Sequence, residues 1–226
     1  MLTKTEQQFT WIFIIIVIVE LICGQVNNFS TIHYFTKPLI VISLLLFFFN
    51  QSKQLNSFIK TFTILALVFS LIGDVALLFD GYNPIYFIVG LASFLLAHVM
   101  YVLVFLKHRD SSKNSLGFIG LMLFYAAFLF YILKDGLGDL LIPVIVYMIV
   151  ILSMSTSAFL REKQNNIASY NWVLLGAILF MVSDSILALD KFYQSFQLSS
   201  LLIMSTYALA QFCIVIGILK QNSNSR

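Results

Sequence analysis

Long apolar runs broken by short polar joints set the pattern of this chain. Eight runs approach the length of a membrane crossing, with approximate limits 9–23, 34–50, 58–79, 84–106, 116–133, 139–160, 170–190 and 197–219. A spanning helix needs about 20 mostly apolar residues, with a range of about 17–25. The first run is short and carries Glu20. Turn chemistry marks the joints: "DGYNP" at 80–84, "KDGLGD" at 134–139 and the polar "REKQNN" at 161–166. Pro84 opens the fourth run, where a helix has no use for the missing N–H. The pattern predicts an all-α fold, a polytopic bundle of eight transmembrane helices. It forms one membrane domain over residues 1–226 and leaves no room for a separate soluble domain.

Composition sharpens this. The chain is 60% hydrophobic and 10% charged, where an ordinary soluble domain is about 45–50% apolar and about 25% charged. A soluble core with one anchor is therefore excluded. The net charge of +3 gives no sign of nucleic-acid binding, but its distribution gives an orientation. With both termini cytoplasmic, the inner side holds Lys4, Lys53, Lys60, Lys107, Arg109, Lys113, Arg161, Lys163, Lys220 and Arg226. The outer joints hold Lys134 and Lys191, and Lys37 lies in a span. Ten against two is a strong positive-inside bias. The expected location is the cell membrane, as a multi-pass protein of the bacterial inner membrane type. Cys23 and Cys213 fall at different expected depths, with no disulfide or metal spacing. One lysine precedes the first run and no A-x-A-like site follows it, so that run reads as a retained helix.

Two runs contain carboxylates that bilayer physics makes expensive. "SLIGDVALLFD" at 70–80 and "FMVSDSILALD" at 180–190 each hold two aspartates six residues apart. A charged group at mid-membrane costs about 2.5–3.5 kcal/mol on insertion scales, so Asp74 and Asp184 are functional candidates. The two stretches end spans three and seven, which run in the same direction and hint at a four-plus-four duplication. At about 1.5 Å rise per residue, Asp74 lies roughly 7 Å and Asp184 roughly 9 Å below the outer surface. Lys37, Glu20 and Tyr147 fall in the same outer layer.

The helical faces agree. Thr63, Ala66, Ser70 and Asp74 form one small and polar stripe, and Gly176, Ala177, Phe180 and Asp184 form another. Small residues let helices approach in lipid, so both stripes face the bundle interior. Span four adds Gly90, Phe94, Ala97, His98 and Tyr101 on one side, and span eight offers Gln211 at a depth like that of His98. The expectation is a polar pocket opening outward above a narrower polar floor. Bland readings stand beside it. Lys37 also suits a snorkelling anchor beside Pro38, Glu20 a group reaching the interface, and Asp80, Asp190 and Lys191 simple rim charges. His98, Tyr147 and Gln211 also suit interhelical hydrogen bonding.

The motifs, taken in order, resemble the YhhN / lysoplasmalogenase family of eight-span membrane proteins. They are "TKPL" at 36–39, "GDVALLF" at 73–79, "GLASFLLAHVMY" at 90–101, "IPVIVYMIVILSMSTSA" at 142–158, "GAILFMVSDSILALDKF" at 176–192 and "YALAQF" at 207–212. The segment around Glu20 is not part of the resemblance. The resemblance implies hydrolysis of the vinyl-ether bond of lysoplasmalogens to a fatty aldehyde and a glycerophospho-alcohol. It implies that Asp74 and Asp184 are the catalytic pair. The expected partners are a lysophospholipid substrate and membrane lipid, with no cofactor and no metal.

The chemistry suits two carboxyls. Protonating the β-carbon of a vinyl ether gives an oxocarbenium ion, to which water adds, and glycosidases manage a related cation with two carboxyl groups. Two nearby aspartates in a poorly solvated site favour one shared proton. Lys37, His98, Tyr101, Tyr147, Ser183, Tyr207 and Gln211 are the candidate substrate-binding residues, with Lys37 suited to the head-group phosphate. Two other classes stay open at this point. A transporter or lipid-binding protein would use the same aspartates for proton or ligand coupling, and a metal-dependent hydrolase would want several His ligands.

Overall fold

The computed structural model describes residues 2–26, 30–161 and 166–221. Eight helices among them are long and apolar enough to cross a membrane. In chain order they are α1 (Lys4–Gln25), α2 (Ser30–Gln51), α3 (Ser57–Leu77), α4 (Pro84–Leu106), α5 (Leu116–Leu133), α6 (Leu141–Phe159), α7 (Ile167–Phe192) and α8 (Ser199–Leu219). No strand lies among the described residues, beyond one isolated bridge between Arg109 and Arg161. The protein is an all-α, multi-pass membrane protein, as the apolar pattern predicts. Lys163 and Arg226 of the charge count lie outside the described residues.

Helix ends follow local chemistry. α1 begins well before the expected position 9, because Thr3 and Glu6 close a capping box. Glu6 then bonds Lys220 at 3.0 Å and ties α1 to the end of α8. Asn83 caps α4 by accepting from the Ile85 N–H, with Pro84 in the first turn. Asn166 accepts from the Ser169 N–H and starts α7 earlier than its apolar run. The "KDGLGD" joint folds into two short 3-10 turns, 134–136 and 138–140. Gly138, at φ 48°, takes the left-handed conformation that glycine tolerates between them.

Eight crossings return the chain to the face it started from. The termini and the joints after α2, α4 and α6 share one face. The joints after α1, α3, α5 and α7 share the other, here called the distal face.

Two pairings are closest, α3 with α4 and α7 with α8. Glycine makes both possible. A Cβ on Gly73 would meet the Phe94 ring at 2.7 Å, and one on Gly90 would meet Leu77 at 2.9 Å. A Cβ on Gly176 would lie 2.8 Å from the Ala210 carbonyl oxygen, and one on Gly217 2.8 Å from the Val173 nitrogen. Without a hydrophobic force between helices in lipid, this close packing is what holds them. α8 is the most enclosed helix and α5 the least. α5 leans on α6 and α7 along one edge only, and turns Leu121, Phe124, Phe128 and Tyr131 outward.

Candidate active site

α7 carries Asp184 into the bundle opposite α4 and α6. The Tyr147 hydroxyl donates to Asp184 Oδ2 at 2.5 Å. His98 Nε2 lies 3.0 Å from the same oxygen and 2.9 Å from the Tyr147 hydroxyl. His98 is fully buried, and its Nδ1 has no partner. A neutral ring with its proton on Nε2 satisfies this geometry. Both bonds fall on Oδ2, which fixes the rotation of the Asp184 side chain and the direction of Oδ1.

Asp74 on α3 is held separately. It accepts from the Tyr207 hydroxyl of α8 at 2.8 Å and is only 2% exposed. Gln211 continues the network. Its amide donates to Ser70 at 2.9 Å and more weakly to Tyr207 at 3.4 Å, and its carbonyl accepts from Tyr101 at 2.7 Å. The expected polar floor is thus a closed set of bonds between α3, α4 and α8. Tyr101 and Gln211 have no exposed surface.

The two carboxylates are close enough to act on each other electrostatically, and Lys37 and Glu20 are also within range of Asp74. An aromatic cluster separates the two networks. Phe180 packs edge-on against His98 at 4.6 Å and against Tyr207 at 5.3 Å between ring centroids. Phe94 packs edge-on against Tyr207 at 5.8 Å. The low-polarity wall between the networks leaves their charges poorly screened.

Asp184 opens onto a cleft between α4, α5, α6 and α7, with about 710 Å³ of empty space, its open side included. Phe87, Leu91, Leu129, Val144, Ile151 and Ala188 are among its walls. The polar residues lining it are Tyr125, Tyr147, Asp184 and Ser185. Asp74 does not line it. Phe94 stands between them, with its ring against Gly73 on one side and the cleft on the other.

The residues singled out in the sequence therefore divide into groups. Asp184 and Tyr147 line the cleft, and His98 supports them from behind. Asp74, Tyr207, Gln211 and Tyr101 form the buried network. Ser183 faces α8 and donates to the Ile203 carbonyl at 3.0 Å, which makes it a helix tie. Lys37 is half-buried on α2, within electrostatic range of Asp74, and does not line the cleft.

Two features were not foreseen. Glu20 does not reach an interface; it is 1% exposed. It accepts from the Thr36 hydroxyl, and His33 Nδ1 lies 3.0 Å from its other oxygen, a charge contact and not an aligned hydrogen bond. The second is Tyr125 on α5, which donates to Ser185 at 2.6 Å inside the cleft. "FYAAF" at 124–128 was the available signal, a lone hydroxyl among small residues. No group of three or more His, Cys, Asp or Glu able to hold a metal occurs among the described residues.

Human lysoplasmalogenase TMEM86B is 31% identical over 156 residues, covering 69% of this chain and 62% of the relative. Bovine lysoplasmalogenase TMEM86A is 34% identical over 155 residues, covering 67% and 62%. A lysoplasmalogenase of Mycobacterium tuberculosis is 28% identical over 136 residues, covering 58% and 50%. The matched part thus spans about 62% or less of the length of these relatives. No solved structure matches. The profile of the YhhN family matches residues 32–218, from α2 through α8 and both aspartates, and the chain belongs to that family.

Proposed function

We propose that the protein hydrolyses the vinyl-ether bond of a lysoplasmalogen, giving a fatty aldehyde and a glycerophospho-alcohol. The observation that carries this reading is an apolar cleft with a hydrogen-bonded carboxyl group, Asp184, on its wall. The names borne by the relatives point the same way.

In this mechanism the alkenyl chain occupies the cleft and its double bond meets Asp184 Oδ1. The carboxyl proton goes to the β-carbon, and the π electrons form the new C–H bond. The resulting oxocarbenium ion is steadied by the carboxylate now on Asp184 and by Asp74 behind the aromatic wall. Water adds to the oxygen-bearing carbon and gives up a proton to the carboxylate. The hemiacetal then collapses, with the glycerol oxygen taking a proton as its C–O bond breaks. One water is consumed and the acid is restored. Positioned general acids and bases contribute typically about 10²–10⁴-fold. Tyr147 and His98 orient Asp184, while Tyr207 and Gln211 hold Asp74.

The test is aldehyde release from lysoplasmenyl-ethanolamine by purified protein. Wild type, Asp74→Asn and Asp184→Asn run side by side, with and without EDTA. The expected result is release by wild type alone, unchanged by EDTA. Well-folded wild type that releases no aldehyde would overturn the reading, and proton-coupled uptake into proteoliposomes would then test the transport alternative.

A further inference from the structure

The stripe of α7 that lines the cleft continues past it to the distal face. Met181, Asp184 and Ala188 recur along the cleft wall. Lys191 is next on the same stripe, seven residues after Asp184. Seven residues are about two helical turns and roughly 10 Å along the axis. The Lys191 ammonium stands 4.8 Å from the centroid of the Phe87 ring. Phe87 packs edge-on against Phe192, and both are cleft walls. Asp80, three residues beyond the cleft residue Leu77, meets Lys191 at 2.9 Å. The two side chains remain 40% and 34% exposed.

An exposed ion pair of this kind contributes little to stability. It does place one positive and one negative group side by side at the end of an apolar cleft. We propose that Asp80 and Lys191 form a head-group site for a zwitterionic phospho-amino-alcohol, with Lys191 on the phosphate and Asp80 on the ammonium. The site rests on the hydrolytic reading for its reaction, but it has its own binding signature.

The spacing fits. In an extended lysoplasmalogen the β-carbon and the phosphorus are seven bonds apart, roughly 9 Å by ordinary bond lengths. That matches the rise from Asp184 to Lys191. The ammonium lies four bonds further, roughly 5 Å, within reach of an aspartate beside the lysine. Binding exchanges the Asp80–Lys191 contact for two contacts with opposite ends of one ligand. Lys37 is not among the residues lining this cleft.

The experiment uses the full chain in nanodiscs with two matched lipid series. One series carries a saturated ether, which cannot be hydrolysed and reads binding alone; the other carries the vinyl ether. Each has phosphoethanolamine, phosphocholine and phosphoglycerol heads on the same chain. Wild type should bind the two zwitterions about tenfold tighter than the phosphoglycerol lipid, as expected for one added charge-assisted contact. Asp80→Asn should abolish that preference and leave phosphoglycerol binding within twofold. Lys191→Gln should weaken all three about tenfold. In the vinyl-ether series the same changes should appear in KM, with kcat within twofold. Equal binding of all heads by wild type, or an unaltered preference in Asp80→Asn, would overturn the proposal. Selective binding without aldehyde release would leave the head-group site standing and remove the hydrolytic reading instead.

Discussion

Tyr147 donates its hydroxyl to Asp184 at 2.5 Å from the neighbouring helix α6. The bond and its companion from His98 converge on one carboxylate oxygen, so they set the direction of the other. Tyr147→Phe keeps the ring and removes the donor. Hydrogen bonds to charged groups are worth roughly 1.5–3 kcal/mol, so kcat for aldehyde release should fall about tenfold or more. KM should change less than twofold, because the ring keeps its place in the cleft wall and only the hydroxyl is lost. Steady-state kinetics on purified protein decide this, and an unchanged kcat would remove Tyr147 from the mechanism.

Ala126 lines the cleft from α5, facing the region of Ser185 and Met148. Ala126→Phe should fill part of the cavity without touching either aspartate. Long alkenyl chains should lose affinity while short ones keep it, so KM should rise about tenfold only for the long substrate. A chain-length series on wild type and variant reads this directly. An equal effect on all chains would place the alkenyl group elsewhere.

Gly176 sets the contact between α7 and α8. A methyl group there would lie 2.8 Å from a backbone carbonyl, and neither helix can yield without moving the other. Gly176→Ala should therefore cost about 1–3 kcal/mol. Ser183→Ala removes a single interhelical hydrogen bond and should cost less, about 0.6 kcal/mol. Thermal denaturation in detergent should rank the two in that order.

His108, in the joint after α4, is half-buried. Burial, with Arg161 and Lys107 nearby, holds its imidazole below the usual 6.5. The folded protein thus resists protonation there more than the unfolded chain does. Its contribution to stability is present above pH 6.5 and is lost as pH falls through the lower folded value. His108→Gln should flatten the acid side of the stability profile between pH 8 and 5, and the melting temperature across that range measures it.

The eight spans and the need of Asp74 and Asp184 for hydrogen-bond partners could be read from the sequence because lipid imposes strong rules on both. Apolar length sets a span, and a carboxylate within one needs a partner. The partners themselves were less legible. His98 and Tyr147 stood out as polar groups in apolar runs, but depth gives no azimuth between helices. Lys37 and Asp184 therefore shared one layer in the sequence, although only Asp184 lines the cleft. Glu20 looked like a group reaching the interface because its neighbours Thr36 and His33 lie on α2. The added turn at Thr3 draws on capping and on Lys220, more than two hundred residues away, and neither leaves a mark in local hydropathy. The cleft was invisible for a simpler reason. α5 is apolar on every side, and the face it turns to the cavity reads like the faces it turns to lipid.

The two aspartates are held crosswise. Asp74, in the first half of the chain, takes its hydrogen bond from α8, and Asp184, in the second half, takes one from α4. The segments that supply them, "FLLAH" at 94–98 and "YALAQ" at 207–211, match in pattern and sit one after each aspartate helix. Asp184 also has Tyr147 of its own half, whereas Asp74 takes its hydrogen bond from the other half alone. As helices enter the bilayer in order, Asp74 waits for the last of them before it has a partner. A bundle that stops before α8 thus lacks Tyr207 and carries Asp74 unpaired in lipid, so the last helix to enter is the one that makes the third one affordable.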